Sequence, residues 1–156
     1  LTAQANPAAS YKTVFLVSLD DTAKKVSSLA QAMPEDKYSW RPGEGVRSVS
    51  EVFVHIAAAN GFFLGPLGFK GGHYDEKKIT AKADVIKAVT ESFTQVHDYI
   101  AGLSPEDLQK VVKFMRKDMT EMDVMLLMTA HLHEHLGQSI AYARTNGVVP
   151  PWSKKD

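Results

Sequence analysis

Apolar residues return at helical spacing in four separate stretches of the chain, each bounded by residues that start or stop helices. The first predicts a helix from about Ser10 to Met33, through Val14, Leu16, Val17, Leu19, Val26, Leu29 and Ala30. Pro34 ends it, because proline disfavours helix in the residue before it, and Tyr38 to Gly43 reads as a loop. Ser48-Val49-Ser50-Glu51 is a capping-box pattern, in which serine and glutamate satisfy the free amides of a helix start. A second helix follows from Val49 to about Phe63, carrying Val52, Phe53, Ile56, Ala57 and Phe62. Gly65-Pro66-Leu67-Gly68 and Gly71-Gly72 then break the pattern. This glycine-rich connection of roughly fifteen residues is longer than a bundle needs, which points to a role near a site.

The third helix is expected from about Ala81 to Ala101, with Val85, Ile86, Val89, Phe93, Val96 and Ile100 on one stripe. Ser104-Pro105-Glu106-Asp107 looks like the start of a short helical turn, and Val111 to Met119 like a brief extended piece. Thr120-Glu121-Met122-Asp123 is a looser capping box opening a fourth helix, which runs to Asn146. Gly147 stands where a C-cap glycine belongs, and Pro150-Pro151 forbids continuation. No segment makes a convincing strand. The pattern therefore predicts an all-α four-helix bundle with a long glycine-rich loop between helices two and three. Residues 1–156 are expected to form one domain, of which about 1–8 would be a flexible tail.

Composition narrows the function. Eighteen basic and eighteen acidic side chains cancel. Basic residues gather no further than pairs such as Lys77-Lys78 and Lys154-Lys155, so neither nucleic acid nor an anionic membrane surface is an expected partner. No run approaches the ~20 apolar residues of a membrane span. With no cysteine in the chain, disulfides, thiolate metal sites and cysteine nucleophiles are excluded, and any metal must sit on nitrogen and oxygen. The chain starts at Leu1, and Ala3-Gln4-Ala5 has the A-x-A form of a signal-peptidase site. An exported, periplasmic protein and a cytoplasmic one both stay open.

The candidate chemistry lies on the fourth helix, at His131-Leu132-His133-Glu134-His135. Residues four apart on a helix lie about 40° apart around the axis and about 6 Å apart along it. His131 and His135 can thus hold one ion together, whereas His133 falls on the opposite side. Val124, Met128, His131, His135 and Tyr142 share a stripe, and imidazoles on a buried stripe need partners. The plain alternative is a hydrogen-bonded pair of core histidines. A third ligand must come from elsewhere, and His55, at the centre of an otherwise apolar second helix, is the candidate. His73 in the glycine loop and His97 beside Asp98 read as solvated. Glu134 is a candidate general base, or a solvated charge. His133-Glu134-His135-Leu136-Gly137 is not the H-E-x-x-H of a zincin, because Gly137 stands where the second histidine belongs.

Three segments carry a family resemblance: Met33-Pro34-Glu35-Asp36-Lys37-Tyr38-Ser39-Trp40-Arg41-Pro42, Val46 to Ala57 ending around His55, and His131 to Gln138 followed by Tyr142, Arg144, Gly147 and Pro150-Pro151. In this order they resemble the DinB-like (DinB/YfiT-like) superfamily of metal-binding four-helix bundles. The resemblance implies an up-down-down-up bundle and a divalent transition metal, zinc or nickel first, on His55, His131 and His135 with open positions for water or substrate. It implies a metal-dependent hydrolase or thiol-dependent transferase acting on an unknown small molecule. The glycine loop has no family motif, and no arginine-rich pocket is visible; Lys70 and Arg41 are candidate anion contacts, and both read by default as solvated. The rival readings are a non-catalytic metal- or ligand-binding bundle, and a metal-free bundle acting through homodimerisation on the apolar excess of Met122, Leu126 and Ile140.

Overall fold

The computed structural model describes residues 6–153. The A-x-A pattern, residues 1–5 of the expected tail and Lys154-Lys155 lie outside the described residues. Four helices carry the fold: α1 (Pro7–Ala32), α2 (Val49–Leu64), α3 (Lys82–Gly102) and α4 (Glu121–Thr145). The first begins three residues before the expected Ser10 because Asn6 caps it. The Asn6 side chain accepts from the amide of Ala8 at 3.0 Å, and Pro7 occupies the first turn, where its missing N–H costs nothing. Residues 7 and 8 are therefore helix rather than tail.

Both capping boxes form. Ser48 and Glu51 satisfy each other's amides at the start of α2, and Thr120 and Asp123 do the same at the start of α4. Gly147, with φ +74°, follows the Asn146 cap of α4 in the left-handed conformation that glycine adopts without strain.

Around the bundle, α1 packs on α3 and α4, and α2 packs on the same two helices. The Lys12 ammonium near the start of α1 donates to the carbonyl of Leu103 just beyond α3 (2.6 Å), and Lys82 at the start of α3 donates to Met33 just beyond α1 (2.7 Å). These two helices are antiparallel. The Tyr11 hydroxyl donates to Met122, joining the starts of α1 and α4 (2.9 Å), while Tyr142 near the end of α4 donates to Arg47 just before α2 (3.1 Å). The direction of travel is thus up, down, down, up. The core between the helices includes Val26, Leu29, Phe53, Ile56, Leu64, Val89, Ile100, Met125 and Met128. Each such side chain contributes about 1.5–3 kcal/mol relative to exposure. On α1 the buried stripe is Phe15, Leu19, Thr22, Val26 and Leu29, and Val14 and Val17 fall off it into solvent.

The extended piece before α4 is a hairpin that the sequence pattern did not establish as strands. β1 (Val111–Phe114) pairs antiparallel with β2 (Lys117–Thr120), Phe114 opposite Lys117. Its two-residue turn is Met115-Arg116, with φ of +47° and +67°. A turn of this hand usually advertises itself as Asn-Gly or Asp-Gly, and neither residue is present. The hairpin lays Phe114 on Phe63 of α2, ring centroids 5.4 Å apart.

The glycine-rich loop folds back along the bundle. The Gly72 amide donates to Gln95 of α3 at 2.9 Å, and a Cβ on Gly72 would lie 2.6 Å from the Tyr74 hydroxyl. Asp75 then accepts from the amide of Lys77 (2.9 Å), forming a tight turn that carries Glu76 and Lys77 to the first turns of α2.

Candidate metal centre

The seam between α2 and α4 brings His55, His131 and His135 together. Each offers one ring nitrogen, and these nitrogens lie within 4.8 Å of one another. His55 sits one turn after Glu51, so the capping box that starts α2 also sets the rotation of this histidine. His131 and His135 project from successive turns of α4, ring centroids 4.4 Å apart. Because the helices are antiparallel, His55 meets both, at 5.1 Å from His131 and 4.6 Å from His135.

The outer nitrogens show which way each ring faces. His135 Nδ1 lies 2.8 Å from Gln138 Oε1, while the Gln138 amide nitrogen donates to the Tyr142 hydroxyl at 3.0 Å. Gln138 can therefore only accept from His135, so the proton sits on Nδ1 and the Nε2 lone pair is free. His55 Nδ1 lies 3.4 Å from a carboxylate oxygen of Glu76, which also accepts from Arg47 Nε at 2.9 Å. His55 Nε2 in turn lies 3.2 Å from His131 Nε2. His131 is held by packing instead. Its ring stands 5.2 Å from Phe63, and its Nδ1 is buried with no hydrogen-bond partner among the described residues.

The group fits a divalent metal. Two nitrogens on one tetrahedral ion at ordinary Zn–N lengths stand about 3.3 Å apart, close to the 3.2 Å between His55 and His131. Metal binding also needs neutral imidazole. Burial, the Arg47 charge and His135 lower the pKa of His55. Burial first, then His135 and His55, takes His131 down to about 4. A carboxylate and an amide behind two of the rings are the kind of outer partner that fixes ligand orientation.

The other sequence candidates are elsewhere. His133 is exposed, its Nδ1 2.9 Å from the carbonyl of Thr129. Glu134 is exposed as well, and among the described residues it has neither a hydrogen bond nor an ion pair; the carboxylate that reaches the histidines is Glu76. His73 is exposed in the glycine loop, and His97 lies 3.8 Å from Asp20 and 3.5 Å from Asp98. Lys70 is exposed.

Arg41 belongs to a group that sequence inspection did not assemble. A cleft of about 490 Å³ beside the histidines is lined by Arg41, Arg47, Glu51, Glu76, Lys77 and Gln138, among others. Glu51 organises its cations, with Lys77 at 2.7 Å and Arg41 at 3.3 Å. The Lys77 hydrogen bond, the Ser48 amide and these charges hold the Glu51 carboxyl down at about 2. Glu76 had no spacing signal, and only the excess length of its loop pointed towards a site.

The comparisons with known proteins agree with the architecture. A family model described as the DinB superfamily matches residues 18–139. A DinB-like protein from Bacillus cereus superposes with a TM-score of 0.81 at 18% identity, covering 88% of this chain and 93% of that one. The DinB-like protein YjoA from Bacillus subtilis gives 0.73 at 17% identity, with 91% and 99% covered. YfiT from Bacillus subtilis, described as a probable metal-dependent hydrolase with an unusual four-helix bundle topology, gives 0.69 at 17% identity, with 88% and 89% covered. No curated protein matches the sequence.

Proposed function

We propose a function from one premise: the chain belongs to the DinB superfamily. It is a metal-dependent enzyme, a hydrolase or a thiol-dependent transferase, with one divalent ion, zinc or nickel, on His55, His131 and His135. The observation that carries this reading is the convergence of three ring nitrogens within 4.8 Å, with the outer nitrogens of two rings facing Gln138 and Glu76. The description of YfiT as a probable metal-dependent hydrolase supports the same class.

The ion would supply Lewis acidity, drawing the pKa of a coordinated water or thiol towards neutrality. The chain supplies the rest. Gln138 holds His135 in the tautomer with Nε2 free, and Tyr142 holds Gln138. Glu76 stands behind His55, and its carboxylate is placed to take a proton leaving the site. Phe63, backed by Phe114, packs against His131 on one side of the centre. A reacting thiol must come from a cosubstrate, because the chain has no cysteine.

Metal content by plasma mass spectrometry, on protein dialysed against metal-free buffer and then titrated with zinc or nickel, tests the reading. The expected result is one ion per chain, lost in each of His55→Ala, His131→Ala and His135→Ala and retained in His133→Ala. An empty protein that takes up neither metal would refute it.

A further inference from the structure

The α2–α4 seam changes character along its length, and the histidines sit at the change. At one end lies the cleft with Arg41, Arg47 and Lys77 facing Glu51 and Glu76. Three cations against two carboxylates leave one positive charge in excess. The cations are paired but not exhausted: Arg47 gives only its Nε to Glu76, keeping its other donors for a ligand.

At the other end the surface is apolar. Phe62 is 58% exposed although its ring lies 5.4 Å from Phe63 and 5.5 Å from Phe114. Met115, at the hairpin tip, is 71% exposed and continues the patch. Leu127, also exposed, precedes His131 by one turn of α4. Phe63 joins this patch to the centre through its contact with His131. Single exposed apolar residues are ordinary, but several of them around one end of a polar site point to a binding surface.

We infer that the substrate is amphiphilic: an elongated small molecule with an anionic head and an aryl or alkyl tail. Its head lies among Arg41, Arg47 and Lys77, its tail against Phe62 and Met115, and its reacting centre at the histidines between them. The inference rests on the reading of those histidines as the reaction centre. The helix rise sets the size. Glu51 and Phe62 are about 16 Å apart along α2, with His55 about 6 Å from Glu51, so the head is short and the tail the longer part.

The probes are 8-phenyloctanoate, octanoate and 8-phenyloctanol, titrated calorimetrically into zinc-loaded and metal-free protein. The metal-free arm separates binding at the cations from carboxylate ligation of zinc. In both arms 8-phenyloctanoate is expected to bind about tenfold more tightly than either relative, from burial of the ring at one end and pairing of the charge at the other. Phe62→Ala and, independently, the loop-tip variant Met115→Ser reduce its advantage over octanoate. Lys77→Gln reduces its advantage over the alcohol. Equal binding of the three probes to protein that takes up zinc stoichiometrically would overturn the inference and leave the metal centre standing. Loss of zinc uptake itself would overturn the premise, and the inference with it.

Discussion

Replacing Glu76 by glutamine tests whether this loop residue, rather than Glu134, is the carboxylate that serves the histidines. Glutamine keeps one oxygen for Arg47 and His55 and replaces the other, with the charge, by an amide nitrogen. Loss of an outer partner typically lowers metal affinity 10–100-fold. Here the contact to His55 is long, at 3.4 Å, and Glu76 keeps 26% of its side-chain surface in water, so solvent screening puts the effect at the low end. The expected loss is about tenfold, or ~1.4 kcal/mol. Zinc affinity is read by competition with a chromogenic chelator near neutral pH, with Glu134→Gln alongside. That control should change affinity by less than about twofold, because Glu134 is exposed, makes no hydrogen bond or ion pair among the described residues, and acts on His131 only as a screened charge. Global stability should hardly move in Glu76→Gln, since the Arg47 pair is partly exposed and worth about 0–1 kcal/mol. Unchanged affinity in Glu76→Gln, or an equal loss in Glu134→Gln, would refute the assignment.

Two further outcomes concern stability. Arg116→Gly should raise the melting temperature by about 1–3 °C. It relieves a left-handed residue at φ +67°, a gain of roughly 1–2 kcal/mol partly offset by the entropy of a new glycine; a lower melting temperature would contradict the hairpin geometry. Glu51 is held at about 2 against an ordinary 4.5, first by its Lys77 hydrogen bond and then by the Ser48 amide. Its contribution is therefore fully present above 4.5 and lost as pH falls through the interval down to about 2. Glu51→Gln should destabilise the protein by about 1–2 kcal/mol at neutral pH and flatten the acid limb of its urea-unfolding profile. An unaltered acid limb would show that Glu51 gains nothing from its partners.

What the sequence alone determined is local. The boxes at Ser48/Glu51 and Thr120/Asp123 involve residues three apart, and the shared face of His131 and His135 follows from helical geometry, so neither needed the rest of the fold. The register of α1 was not local, because Val14 and Val17 suit the interior as well as Phe15 and Leu19 do, and only the facing helices choose between them. His55 entered through apolar surroundings and family resemblance, and the antiparallel α2–α4 contact is what brings it to the pair. The remaining features depend on the tertiary structure. Glu76 reaches His55 through a turn 21 residues further along the chain, at a separation no periodicity encodes. Arg41, Arg47 and Lys77 become one cleft because the glycine loop folds back on the start of α2. The hairpin is stable enough on its packing to impose a left-handed turn on Met115-Arg116, overriding local preference. Spacing along a chain specifies which side chains share a face; which faces meet is settled by how four amphipathic helices bury their stripes together.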